Sequence, residues 1–597
     1  MKDDDFSCQV LAVNKALRLT VVLLSLLQTS ALQASRPNIV LILADDLGFS
    51  DSAPYGSEIQ TPSLSALAEE GIRFTRYHTA ASCAPSRAML LTGVDSHRNG
   101  VPNIPEAIPP EQRQLANYRG TLGHNVVTVA TLLQDAGYHT YMAGKWHLGK
   151  TPDLLPSRRG FERTVAMADT GADNWEQKPY LPIYEKANWF ADGEETELPE
   201  DFYSSRFLID KTIEFIGSNA GDGQPFFAYV PFQAVHIPVQ APQAFIDRYM
   251  GVYDDGWEAL RQQRRAKAVE MGIIPRDSAM VTMETTGDWS SLTPGQKRYQ
   301  AKRMAVYAAM VEAMDYHIGR LIEHLRTTGQ YDNTVFIFTS DNGSEASGSS
   351  NPDTAVSRFL TGLQGYTTEY DSLGLKGSFN SIGPSFASAA AAPLAFYKFY
   401  SGEGGMRVPL IISGQPLSVG QQQSNAFSYV TDIAPTILEL AGVSAAPRYY
   451  GGRARESMTG HSLLPLIRGE AERVYAEDEA VGYELAGNAA LFQGDYKIVF
   501  NRGPVGDNLW HLYDIVRDPG ETVDLSARMP ARLQQMLALY QEYVTENGVA
   551  PVPVGYSQGQ QVALNGLQDR LGRPILLVLL MLLVLLPIYL VGRNMRR

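Results

Sequence analysis

The stretch Pro37-Asn38-Ile39-Val40-Leu41-Ile42-Leu43-Ala44-Asp45-Asp46-Leu47-Gly48 decides how this chain folds. The unbroken apolar run Ile39–Leu43 lacks the alternation of a half-solvated strand, so it predicts a strand buried on both faces, as in a parallel sheet covered by helices. Two adjacent carboxylates, Asp45 and Asp46, follow at its C-terminal end, where open α/β sheets place their ligands. Like charges side by side are costly unless a cation lies between them. An isolated Asp-Asp would be read as a solvated turn, so a partner must be found elsewhere.

The partner pattern is Thr334–Phe338, a second predicted strand, which runs into Thr339-Ser340-Asp341-Asn342-Gly343. Alone, Asp-Asn-Gly is a turn. Together, Asp45, Asp46, Asp341 and Asn342 form an all-oxygen, carboxylate-rich set that suits a hard cation, Ca²⁺ more readily than Mg²⁺. Further strands are predicted at His139–Ala143, Pro225–Phe232 and Leu410–Ile412. Helices alternate with them: one opened by Thr61-Pro62, one from Thr128 to Ala136, one from Asp432 to Ala441, and a long one from about Lys297 to Arg326. The last carries Met304, Tyr307, Ala308, Val311, Met314, Ile318 and Leu321 at helical spacing, a stripe for packing on the sheet. The fold class is α/β, a large, mixed but mostly parallel sheet between helices.

Cys83-Ala84-Pro85-Ser86-Arg87 sits at the start of a short predicted helix stopped by Gly93. Cys83 then lies at a helix N-terminus, which favours an anion, and Arg87 is one turn on. A lone cysteine is more often a small buried hydrophobe. Lys145 and His147 alternate in Gly144-Lys145-Trp146-His147-Leu148-Gly149 and can point the same way; otherwise they are a solvent lysine beside a packed histidine. His236 ends the strand Pro225–Phe232 before Ile237-Pro238.

In order, these blocks resemble the type I, formylglycine-dependent sulfatases of the alkaline-phosphatase-like superfamily, over roughly residues 36–548. The resemblance implies that Cys83 is oxidised to formylglycine by a maturation enzyme. It assigns Asp45 and Asp46 to a divalent metal, places Lys145 and His147 on the formylglycine, and matches His236 to a sulfate-contacting histidine. Lys398, in Lys398-x4-Glu403-Gly404-Gly405-x-Arg407-x-Pro409, corresponds to a sulfate-holding lysine, with Arg407 pairing structurally. In the family scheme Arg87 and the metal polarise the nucleophile, His236 protonates the leaving oxygen and His147 takes the proton that expels sulfate. The implied activity is hydrolysis of small sulfate monoesters, as in arylsulfatases; residues 240–300 look closer to the bacterial arylsulfatase branch than to the lysosomal one. Two alternatives stand: a phosphonate monoester hydrolase or phosphodiesterase using the same site, and an inactive anion-binding scaffold.

The predicted organisation is a signal peptide at 1–34, a catalytic α/β domain at 35–450, and a C-terminal antiparallel-sheet-plus-helix subdomain at 451–548. A polar linker at 549–573, a transmembrane helix at 574–591 and a tail at 592–597 complete it. The first segment joins Lys15 and Arg18 to the apolar run Leu19–Leu27 and then small residues. The 18 uncharged residues from Pro574 to Val591, followed by Arg593, Arg596 and Arg597, predict a membrane anchor with the catalytic domain exported. Helix Trp257–Met271 reads as a highly charged amphipathic helix, either capping the substrate entrance or lying on the surface with a solvated face, and residues 344–395 as irregular chain. A net charge of −14 argues against nucleic acid as a partner.

Overall fold

The computed structural model describes residues 36–181, 184–348 and 355–568. Strand Asn38–Ala44 is buried at every position and lies at the centre of a ten-stranded mixed sheet. It pairs in parallel with Thr334–Ser340 on one side and Phe226–Pro231 on the other, and His139–Lys145 and Arg163–Met167 continue the parallel core. Antiparallel strands flank this core, Leu410–Ser413 on one side and Trp189–Ala191 on the other.

The apolar run is continuous because its two faces feed two cores. Val40, Ile42 and Ala44 pack with Met304, Tyr307, Ala308, Val311 and Met314 of the long helix Pro294–Thr327. Ile39, Leu41 and Leu43 belong to the second core, with Ala84, Ala88 and Leu91 of helix Cys83–Thr92 and Ile433 and Ile437 of helix Ile433–Leu440. Alternation along one strand thus fixes which helices cover which face. The long helix begins earlier than its apolar stripe indicates, because Thr293 and Gln296 cap it reciprocally.

Beyond the main sheet, strands Ala480–Leu485, Asn488–Gln493, Tyr496–Phe500 and Trp510–Asp514 form a four-stranded antiparallel sheet, against which helix Pro530–Asn547 packs.

Four expectations are corrected. Within 344–395, Gly383–Ala390 is a buried helix rather than irregular chain, since its run of Ala and Ser around Phe386 has little to oppose helix formation once buried. Helix Gly256–Glu270 does not cover the site entrance; it packs on that buried helix, drawn in by Arg264, whose guanidinium reaches Asp51 at 2.5 Å and Glu58 at 2.9 Å. The described part of the supposed linker, 549–568, is not a free tether. Its polar groups bond the main domain, with Gln112 donating to the Pro551 carbonyl at 3.0 Å and Tyr556 to the Ala107 carbonyl at 3.0 Å, and residues 558–568 are helical. The expected membrane-spanning element is overturned as part of this fold: among the described residues no helix is long and apolar enough to cross a membrane. The stretch 574–591, like the predicted signal peptide at 1–34, lies outside the described residues.

Candidate active site

Two parallel strand ends build the acidic cluster. The register places Ala44 opposite Ser340, so Asp45 and Asp341 leave the sheet side by side. The Asp46 amide donates to Asp341 Oδ1 at 3.2 Å, and Asn342 Nδ2 donates to Asp46 Oδ1 at 2.8 Å. Asp46 adopts φ 65°, a backbone region that few non-glycine residues occupy and that clusters at functional sites. Gly343 is required next: a Cβ there would lie 1.9 Å from the Gly404 carbonyl, so only glycine lets the loop after Lys398 close on this strand end.

Helix Cys83–Thr92 brings the cysteine to the same point, at its first turn, and a left-handed Gly93 ends it. Ligand atoms from Asp45, Asp46, Cys83 and His236 lie within 4.8 Å of one another. Three buried cations surround them. Arg87 Nε donates to Asp341 Oδ2 at 2.8 Å and Nη1 to the Lys145 carbonyl at 2.8 Å. Lys145 Nζ meets both Asp45 oxygens at 2.9 and 2.7 Å. Lys398 Nζ lies 2.8 Å from Asp46 Oδ1 and 3.0 Å from Glu345 Oε2.

Four carboxylates (Asp45, Asp46, Asp341, Glu345) therefore face three cations. Burial pushes the Asp45 carboxyl well above the ordinary carboxylate range despite Lys145 and Arg87. Burial acts on Asp341 too, but there Arg87, Lys145 and Lys398 outweigh it and hold the group low. Asn342 Oδ1 is buried and, among the described residues, has no hydrogen-bond partner. An orphaned amide oxygen beside an excess of carboxylate is the environment a divalent cation satisfies, so Asp45, Asp46, Asp341 and Asn342 fit such an ion. Burial pushes the Cys83 thiol up to about 12, which makes the unmodified cysteine a poor nucleophile at neutral pH.

The two histidines flank the cluster differently. His236 Nδ1 pairs with the Ile237 carbonyl at 2.7 Å, and Nε2 lies 3.7 Å from Asp46 Oδ2. Burial, with Lys145 and Lys398 nearby, holds its pKa well below the ordinary value. His147, at φ 54°, turns away from Lys145: Lys145 reaches Asp45 whereas His147 Nε2 meets Glu106 Oε2 at 3.4 Å. Burial, reinforced by Lys145 and Arg87, pushes His147 down to about 4. Arg407 pairs with Glu403 at 3.7 Å and donates to the Thr75 carbonyl, away from this cluster.

Several residues at the site carry no readable sequence signal. Glu106, in Pro105-Glu106-Ala107, also accepts from Tyr184; Glu345 holds Lys398; Tyr180 lies edge-on to His236. Glu106 sits in the single 3-10 turn Pro105–Ala107 and the other two in irregular chain, none with motif spacing. A cavity of about 430 Å³ adjoins Cys83, His236 and Lys398 and is walled by Tyr180, Phe399 and, from the C-terminal segment, Tyr556.

The sulfatase family profile matches residues 37–443. An uncharacterized sulfatase of Schizosaccharomyces pombe is 37% identical over 536 residues, covering 87% of this chain and 96% of the relative. An arylsulfatase of Klebsiella aerogenes is 37% identical over 445 residues, covering 73% of this chain and 91% of the relative. The crystal structure of a Pseudoalteromonas sulfatase, PsFucS1, superposes with a TM-score of 0.57 at 21% identity, covering 88% of this chain and 93% of that one, and shares the fold.

Proposed function

This chain belongs to the sulfatase family and is a sulfuric ester hydrolase, and we propose that it cleaves arylsulfatase-type sulfate monoesters, releasing a phenol or alcohol and inorganic sulfate, with Cys83 converted to formylglycine as the source of the nucleophile. The observation that carries the reading is the convergence of Cys83 with three buried cations and an acidic cluster short of positive charge. An unmodified thiol held near 12 has no use there, whereas a cysteine converted by a maturation enzyme does.

Ca²⁺ is the metal proposed, held by Asp45, Asp46, Asp341 and Asn342; when bound it supplies Lewis-acid polarisation and neutralises charge on the sulfuryl oxygens. The chain's own residues do the rest. Lys145, Lys398 and Arg87 surround the position of the sulfuryl group, fixed donors in a water-poor site, which is where electrostatic stabilisation is strongest. His147 is neutral at pH 7, and with Nε2 turned to Glu106 its buried Nδ1, unpartnered among the described residues, is free to take a proton. His236, its Nδ1–H given to Ile237, presents Nε2 to the leaving oxygen; the negative charge of a bound sulfate ester favours the protonated ring that can act as acid. Residues 1–34 support export as the destination, with the enzyme working outside the cytoplasm.

The second reading, phosphonate or phosphodiester hydrolysis, draws on the same cationic ring. Rates on matched 4-nitrophenyl sulfate and 4-nitrophenyl phenylphosphonate separate the two: a higher kcat/KM on the sulfate supports sulfatase action, and a higher value on the phosphonate overturns it.

A further inference from the structure

The C-terminal segment beyond helix Pro530–Asn547 is fastened over the site by its own polar groups. Asn117 Nδ2 donates to the Gly548 carbonyl at 2.6 Å, and the Ala550 amide donates to the Tyr118 hydroxyl at 2.8 Å. Buried Asn565 donates to the Glu106 and Ile108 carbonyls at 2.7 and 3.0 Å. Two clamps at either end of residues 550–565 thus hold Tyr556 and Val562 as one wall of the cavity that contains Cys83.

Facing that wall is Arg502. Its backbone amide donates to Asn488 Oδ1 at 2.8 Å, and Asn488 Nδ2 donates to the Phe399 carbonyl at 2.8 Å, so its position is tied to the residue next to Lys398. The guanidinium lies 5.5 Å from the Tyr556 ring centroid, and Nη1 donates to the Ala486 carbonyl at 3.2 Å. Among the described residues, no carboxylate forms an ion pair with it. The two carboxylates lining the cavity are engaged elsewhere, Glu345 by Lys398 and Glu106 by His147 and Tyr184. The cavity is otherwise largely aromatic and aliphatic, with Tyr180, Phe399, Tyr400 and Ile104 among its walls.

A planar cation with free donors in a mostly apolar pocket recognises an oxyanion carried on an apolar body. Resting on the sulfatase reading above, we propose that Arg502, backed by Tyr556, selects sulfate esters whose aromatic leaving group bears a second anionic substituent, a carboxylate or another sulfate. Lys398 and Arg502 line the same cavity, so the scissile sulfate and the second anion are read by separate cations of one pocket.

The test compares 4-(sulfooxy)benzoate with its neutral methyl ester in the matured full-length enzyme and in the Arg502→Gln and Arg502→Lys variants. The difference in phenol reactivity is the same for every variant, so the ratio of the two kcat/KM values isolates recognition. We expect Arg502→Gln to lower the benzoate-to-ester ratio about fivefold, the scale of a part-exposed ion pair, mainly through KM. Arg502→Lys should restore most of the ratio, and raised ionic strength should shrink it in the wild type. An unchanged ratio in Arg502→Gln, with the methyl ester still hydrolysed, overturns this inference and leaves the sulfatase reading standing. If the matured enzyme hydrolyses neither sulfate, both fall.

Discussion

His147 presents Nε2 to the Glu106 carboxylate at 3.4 Å while its buried Nδ1 has no partner among the described residues. Burial, with Lys145 and Arg87 close by, lowers its pKa from 6.5 to about 4. Above pH 6.5 the ring is neutral whether the chain is folded or not. As pH falls, the unfolded chain takes the proton first, so stability declines between pH 6.5 and pH 4 and the loss levels off below, at roughly 3 kcal/mol in all. Urea midpoints at pH 7 and pH 4.5 should therefore differ more for the wild type than for His147→Asn; equal differences would show that the histidine is not held neutral.

On the proposed mechanism, with His147 as the base, the same relationship is expected to set the acid limb of activity. Glu106 raises the His147 pKa against the stronger downward pull of burial, so Glu106→Gln should move the acid limb of kcat to lower pH while reducing kcat through lost positioning. A limb that moves upward would contradict the pairing.

Lys398 compensates Asp46 and Glu345 at once, both within 3.0 Å. Lys398→Ala should cut kcat by about a hundredfold or more, the scale of losing one preorganised donor. Without metal it should also lower the melting temperature, since two buried carboxylates lose their counter-charge. Thermal melts with and without Ca²⁺ should show the larger drop in the chelated protein.

The acidic cluster predicts metal-linked stability. With Asn342 Oδ1 unsatisfied and carboxylates in excess, free Ca²⁺ at a hundred times its Kd should add about 2.7 kcal/mol, lost on chelation. An unfolding transition indifferent to both EDTA and Ca²⁺ would argue that the cluster holds no ion.

Arg264 makes a structural prediction at a distance. It reaches Asp51, whose other oxygen accepts from Tyr307 and from the Gly48 amide, so it braces the loop that follows Asp45 and Asp46. Arg264→Met should cost about 3–5 kcal/mol by stranding buried Asp51. Lys267→Ala, on the solvent side of the same helix, should cost less than about 1 kcal/mol. Denaturant unfolding of both variants checks the contrast.

The strands and the side chains gathered at their ends were legible because a doubly buried strand leaves an unmistakable run, Ile39–Leu43, and because the candidate groups at each end are local in sequence: Asp45-Asp46, Asp341-Asn342 and Cys83 at its helix start. What the sequence concealed is tertiary. Glu106 and Glu345 act through partners far along the chain, and no local spacing marks them. Arg264 reads as a solvated face in a charged helix and is buried only because Asp51 and Glu58 meet it. Residues 549–568 read as a linker because their composition is polar, yet those polar groups are the fasteners that seat the segment on the site. The separation of Lys145 from His147 depends on one positive φ, which alternation in the sequence cannot anticipate.

The most direct test of the central claim is mass spectrometry of the tryptic peptide Tyr77–Arg87 from enzyme that is active on an aryl sulfate. A peptide lighter by the change from thiol to aldehyde, in a fraction that tracks specific activity across preparations, is the result expected. Fully active enzyme carrying only the unmodified Cys83 thiol would contradict it.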